Sequence, residues 1–317
     1  MKKNIVKITC IIFILIILFA LYFQIRNKEV INVGKSSWPS WDLFELSQKN
    51  NNPLSNFKLQ FNHYENYDGI LDAFINNKID IATVTLLEAL TIQNNINEQI
   101  KIILLLDYTI GSDAILSHSN IEHLHELEGK TIGFEKNTIS YYTLLRSLEK
   151  ANINPNNLTL KNLSLEALIT EFKQKKIDAI SLYDPYIYEL KKFDENFNII
   201  FSSKEIPREI CDVVIIRSKL IDKYPGIVQS IQNNWFNKIK KDISFKGAVD
   251  PLYRNNEYLS HIKENIYFAN KNENMYAFGT KKVPGYLNNS ISKTNEFLEK
   301  KSKTTTEETK LLKLIYN

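Results

Sequence analysis

Nine side chains stand where this chain could do chemistry: Trp38 and Trp41 in GKSSWPSWDLF, Thr83 and Thr85 in IDIATVT, Asp113 in TIGSDAIL, Thr138, Ser140 and Tyr141 in EKNTISYY, and Asp184 in LYDPY. Each marks a place where an apolar, strand-like run ends or begins. In open α/β sheets, ligands bind at the carboxyl ends of strands and the amino ends of helices. Tryptophan rings just past a first strand can wall an organic ligand by stacking, or cap a hydrophobic core. Thr85, Thr138 and Ser140 suit helix N-caps, and the free N–H groups of such turns can also hold a carboxylate, sulfonate or phosphonate. Asp113 and Asp184 are structural if each has a hydrogen-bond partner. If unpartnered, they favour a ligand bearing an ammonium, amidine or other N–H donor, because a lone buried carboxylate is costly.

Catalysis finds little support. There is no GxSxG, GxGxxG, Walker glycine-lysine loop or HExxH. His118, His123, His125 and Glu126 make the nearest approach to a metal set, but residues two apart do not share a helix face, so this stretch reads as a solvated helix before Gly129 and no metal is expected. Cys211 is the only cysteine of the folded part, which excludes an internal disulfide, and it reads as a small buried hydrophobe. Cys10 lies too early in its apolar run to carry a lipid. No cofactor is expected.

The elements that must position these residues are legible in the composition and pattern. Of 317 residues, 40 are Lys or Arg and 36 are Asp or Glu. Lys2, Lys3, Lys7, Arg26 and Lys28 precede the folded part, so the remainder is near neutral, which excludes a basic nucleic-acid-binding face. Residues 8–23, ITCIIFILIILFALYF, form an unbroken apolar run that ends in bulky residues instead of a small-x-small cleavage site. It reads as an uncleaved membrane anchor over residues 1–28 in preference to a cleaved signal, with the body outside the cytoplasm. Beyond it, strand-like runs near 30–34, 58–62, 79–83, 100–106, 112–117, 130–134, 158–162, 177–182, 197–201 and 211–217 alternate with helical patterns, the mark of an α/β protein with largely parallel sheets. After Pro225 the strand signal stops and helices are expected, closing with the short amphipathic LLKLIYN. The stretches 68–90 and 164–187 echo one another as helix, basic turn, Ile-Asp, buried strand and new helix, which suggests two similar lobes.

The ordered series VGKSSWPSWDLFEL, LDAFINNKIDIATVTLLEAL, LLLDYTIGSDAIL, LHELEGKTIGFEKNTISYYTLLRSLEKANI, FKQKKIDAISLYDPYIYEL and CDVVIIR resembles the substrate-binding proteins of ABC importers for nitrate, taurine, alkanesulfonates and the pyrimidine precursor of thiamine. The resemblance spans roughly residues 30–220. It implies a two-lobed type II periplasmic-binding-protein fold, with lobe 1 at 29–113 and 217–317, lobe 2 at 114–216, and crossings near Asp113 and near Val213–Arg217. It further implies ligand contacts from the nine residues above, a small organic nitrogen- or sulfur-containing solute, and an ABC permease and its ATPase as partners. The family-type helix ends and hydroxyls come without an obvious cleft arginine, so Asp113 and Asp184 point to an amine-bearing or nitrogen-rich solute. A membrane-anchored sensor ectodomain acting on a signalling partner is the alternative. An enzyme of the thiamine-pyrimidine type, with His63 as its histidine, is a more distant one.

Overall fold

The computed structural model describes residues 13–14, 28–49, 57–193, 196–241, 243–280, 282–302 and 314–316. The apolar run at 8–23 lies outside them except for Phe13 and Ile14. Among the described residues no helix is long and apolar enough to cross a membrane.

Eleven strands are present among those residues: β1 (Glu29–Lys35), β2 (Phe57–His63), β3 (Ile81–Thr85), β4 (Ile100–Thr109), β5 (Asp113–His118), β6 (Thr131–Phe134), β7 (Thr159–Asn162), β8 (Ala179–Tyr183), β9 (Phe197–Ser202), β10 (Cys211–Arg217) and β11 (Ile266–Phe268). Two sheets form from them, in the orders β11-β4-β10-β3-β1-β2 and β7-β6-β8-β5-β9. Their central strands are unbroken apolar runs because both faces are covered: every residue of IKIILLLDYT except Lys101 and every residue of CDVVIIR is buried. The sheets are mixed, not largely parallel as the sequence pattern suggested. Strands β2, β1 and β3 run parallel, but β10 runs antiparallel to both its neighbours, and β5 runs antiparallel to β8 and β9. An antiparallel central strand and a parallel one have the same buried composition, so the pattern cannot separate them.

Eleven α-helices among the described residues cover the sheets: α1 (Pro39–Gln48), α2 (Tyr67–Ile75), α3 (Leu86–Asn95), α4 (Ile139–Lys150), α5 (Leu165–Lys173), α6 (Tyr186–Phe193), α7 (Ser218–Lys223), α8 (Ile227–Lys241), α9 (Asn256–Asn265), α10 (Lys271–Phe278) and α11 (Tyr286–Ser302). The internal echo has a structural basis. Asn77 and Lys175 hold the same left-handed backbone, each with φ 56°, at the turns after α2 and α5. Lys78 then donates its N–H to Ala73 O, and Lys176 donates to Glu171 O, closing both helices alike. The carboxylate of the following Ile-Asp accepts a backbone N–H from the neighbouring parallel strand, Asp80 from Asn32 and Asp178 from Thr131. Each unit thereby fixes the register of its own sheet.

The whole of β10 lies in the first sheet, between β3 and β4. Two other expectations change. A strand does follow Pro225: Ile266–Phe268 adds to the edge of β4, where three residues are too few to show a period. The expected helix at 121–127 is a single 3₁₀ turn, Leu124–Leu127. At the end of the chain, Leu314 and Ile315 are buried in the first sheet's core, and Ile102 donates its N–H to Leu314 O at 2.7 Å.

Candidate ligand cleft

The polarity of the strands decides where side chains can meet. Because β10 pairs antiparallel to β3 and to β4, its first residues lie at their carboxyl ends, with Asp212 opposite Thr85 on one side and Asp107 on the other. In the second sheet the start of β5 lies at the carboxyl end of β8, with Asp113 opposite Tyr183. Only Ile110, Gly111 and Ser112 separate β4 from β5. Gly111 has φ +140°, and a β-carbon there would collide with the Asn265 side chain, so this crossing requires glycine. The carboxyl ends of both sheets are therefore joined across a three-residue link.

On the first sheet, β1 runs through Lys35 into α1, which begins at Pro39 without a side-chain cap. Trp38 and Trp41 are both buried, their rings 6.5 Å apart and tilted. Trp38 donates its indole N–H to Asp107 Oδ2 at 3.1 Å, while the Trp41 Nε1 has no partner. Lys35 is fully buried and ion-paired with Asp42 and with Glu45 Oε2, the latter at 3.0 Å. Asp42 also accepts the Tyr253 hydroxyl at 2.7 Å, which fixes the start of α1 against the C-terminal part of the chain. His63 reaches Glu45 at 3.1 Å and stays half-exposed at the rim of this network.

Thr83 is fully buried with an unpartnered hydroxyl. Thr85 caps α3 in a reciprocal box: its Oγ1 accepts the Glu88 N–H at 3.2 Å, and Glu88 Oε2 accepts the Thr85 N–H at 2.8 Å. Burial pushes the Glu88 carboxyl up to about 7. Asp107 and Asp212 face each other across β4 and β10, each with one carboxyl oxygen unpartnered. Burial drives Asp107 up to about 6 and Asp212 well above the usual carboxylate range, the second reinforced by the charge of the first.

From the second sheet, Asp113 is buried with Oδ2 unpartnered. Burial pushes its carboxyl up to about 7, and the charges of Asp184 and Asp107 add to the shift while the nearby Thr109 hydroxyl offsets part of it. Asp184 is not free: its Oδ1 accepts the Tyr188 N–H at 3.2 Å at the start of α6, and its Oδ2 lies 2.8 Å from His261 Nε2 on α9. That contact joins the two sheets' flanks, as do the Tyr188 hydroxyl and Lys192, which meet Glu257 at 3.2 and 3.1 Å.

At the start of α4 the expected hydroxyls are engaged internally. Thr138 accepts the Ser140 N–H and donates to Glu135 O, and Ser140 donates to Ser181 O. The Tyr141 ring stacks on Phe134 at 4.6 Å and meets Phe297 of α11 edge-on, among packing residues. The structure thus brings together Trp38, Trp41, Thr83, Thr85, Asp113 and Asp184 around the strand ends, and sets Thr138, Ser140 and Tyr141 in bonds and packing of their own. Sequence reasoning missed Asp107, Asp212 and His261. The first two carried the signal that flagged Asp113, a lone carboxylate at the end of an apolar run. Elsewhere, the His123 and His125 rings do stack, at 5.5 Å, because a 3₁₀ turn replaces the expected helix. No group of three metal-capable side chains occurs among the described residues.

This arrangement of two mixed sheets around a shared line of strand ends is the two-lobed type II periplasmic-binding-protein fold. Solved structures agree: the periplasmic aliphatic sulphonate binding protein SsuA from Escherichia coli superposes with a TM-score of 0.67 at 15% identity, covering 86% of this chain and 93% of that one. The ligand binding component of an ABC-type import system from Staphylococcus aureus, solved with zinc bound, gives 0.65 at 14% identity, covering 90% and 98%. In sequence, the taurine-binding periplasmic protein of Escherichia coli (strain K12) is 21% identical over 219 residues, 68% of this chain and 67% of its own length. The family described as NMT1/THI5 like matches residues 55–233, more than half of the chain, and the protein belongs to that family.

Proposed function

We propose that this protein is the extracytoplasmic solute-binding component of an ABC-type importer, and that it captures a small organic solute between two lobes that follow its two sheets. The observation that carries this reading is the set of buried, unpartnered polar atoms contributed by both sheets at one place, from Thr83, Asp107 and Asp212 on one and Asp113 on the other. Buried polar groups in folded proteins are nearly always satisfied, so such a concentration favours a ligand that satisfies them. The similar proteins named above, a taurine-binding protein, a sulphonate-binding protein and a component of an ABC-type import system, support the same class. The role is binding, with no catalytic step: a solute touching both lobes selects the closed form, which a permease and its ATPase then recognise. The apolar run at 8–23 is proposed as the anchor that holds the folded part at the membrane.

The test is thermal unfolding of the purified protein against taurine, alkanesulfonates, nitrate, amino-pyrimidines, polyamines and small amides. A solute bound only by the native state raises the midpoint by mass action, about 2.7 kcal/mol of stabilisation at a hundred times its dissociation constant. A shift with one class identifies a solute receptor. A flat response to the whole panel counts against the reading.

A further inference from the structure

We infer that the solute carries an organic cation, a primary ammonium or amidinium group, held by Asp107, Asp212 and Asp113 beside Trp38. This rests on reading the cleft as a solute site and names the chemistry of what it takes. The three carboxyl groups are at most 2% exposed, and each has an oxygen without a hydrogen-bond partner. They are electrostatic neighbours: Asp107 and Asp212 sit opposite in register, and Asp107 and Asp113 act on each other across the crossing. No cation among their hydrogen-bond partners neutralises them: Lys35 is committed to Asp42 and Glu45, and Arg217 to Glu98 at the far end of β10.

Independent unpartnered groups surround them. The fully buried Ser40 hydroxyl lies beside Asp107 without completing a hydrogen bond, and the Thr109 hydroxyl lies beside Asp113 in the same way. The buried Ser112 hydroxyl is likewise unpartnered, in the link between the sheets. Hydroxyls can accept from an ammonium as carboxylates do.

The anion-binding alternative meets opposition in the same place. A sulfonate is well held by the free N–H groups of helix starts. Two of the helices leaving the strand ends already present carboxylates there: Glu88 accepts the Thr85 N–H at α3, and Asp184 accepts the Tyr188 N–H at α6. A third, α4, has its first N–H groups turned to Thr138. The start of α1 has no side-chain cap, but Trp38 there is bonded to Asp107, so an anion would enter beside the carboxyl trio.

Ionising carboxyls that stand at about 6 and 7 makes cation binding release protons near neutral pH. The groups facing them are Asp184 with its His261 partner, Thr109, Ser40, Trp38 and, across β10, Glu88. Affinity for a cation therefore rises with pH between about 5.5 and 8.

The experiment is calorimetry and thermal unfolding of the full chain with putrescine, benzamidine, taurine and methanesulfonate. Calorimetry is run at about pH 6.5 in two buffers that differ in ionisation enthalpy. The expected result is binding of putrescine or benzamidine with buffer-dependent heat, and no effect of methanesulfonate, which has the anion alone; taurine binds through its ammonium or not at all. Asp113→Asn, which removes a charge without changing shape, weakens the bound cation roughly ten- to a hundredfold. Its own unfolding curve shows whether it folds. Binding of methanesulfonate without either cation overturns the inference and leaves the receptor reading standing. Silence from all four counts against both. A cation bound equally well by a folded Asp113→Asn and Asp107→Asn also overturns it.

Discussion

Raising the pH from 5 to 8 loosens the unliganded protein, and Asp113→Asn removes a large part of that loss. Asp113 is 2% exposed, and burial lifts its carboxyl to about 7, against about 3.9 in an unfolded chain. The native state therefore keeps this proton over a range where the unfolded chain has lost it. Stability is fully present below about pH 4 and is lost as the pH rises through 7. Three pKa units correspond to about 4 kcal/mol, of which roughly 2 to 3 kcal/mol falls between pH 5 and 8. Asp107 and Glu88 shift in the same direction and steepen the slope. Glu209 runs the opposite way, since its pairing with Arg146 and Lys293 outweighs burial, but its contribution is lost only at acid pH, outside the window. The assay is urea unfolding of the unliganded parent and of Asp113→Asn at pH 5 and pH 8, with the midpoint and slope fitted separately. The variant is expected to gain at pH 8 and differ little at pH 5. An identical pH slope in the two proteins refutes the argument that Asp113 is buried and uncompensated.

Two further outcomes test the frame that holds the cleft. Arg217 is 2% exposed at the end of β10, pairs with Glu98 at 2.6 Å, donates to Phe74 O and Ile79 O, and lies over the Phe74 ring at 4.3 Å. Arg217→Met leaves those acceptors unpaired and is expected to cost about 3–5 kcal/mol in urea unfolding at neutral pH, ligand or not. Lys175 holds φ 56° after α5, where its β-carbon is unfavourable. Lys175→Gly is expected to raise stability by about 0.5–1 kcal/mol in the same assay, while Lys175→Ala gives no such gain.

Much of the framework is readable in one dimension because burial on both faces leaves an unmistakable trace. IKIILLLDYT and CDVVIIR have no alternation, so they had to be central strands, and NKIDIATVT and KKIDAISLY announce the same turn and strand twice. The aspartate of each Ile-Asp is explained by the strand it clamps. The polar residues at strand ends were legible for the same reason: Trp38, Trp41, Thr83, Thr85, Asp113 and Asp184 stand at the ends of those runs. Thr138, Ser140 and Tyr141 occupy an equivalent place in the pattern, yet a hydroxyl that bonds Ser181 O and a ring stacked on Phe134 look no different in sequence from ones that face a ligand. His261 gave no signal at all, because its partner Asp184 is 77 residues away.

The sequence by itself determined every strand but β11, most of the helices, the repeated unit and the placing of polar residues at strand ends, since these follow from local hydrophobic period and turn chemistry. Only the tertiary structure decided that β10 runs antiparallel between β3 and β4. That reversal carries Asp212 from the beginning of a strand to a position beside Asp107 at the end of another. Three residues of crossing then bring Asp113 to the same place. A carboxylate's cost depends on its neighbours and its distance from water, which are properties of the folded arrangement, and the acidic, unpartnered character of the cleft exists only there.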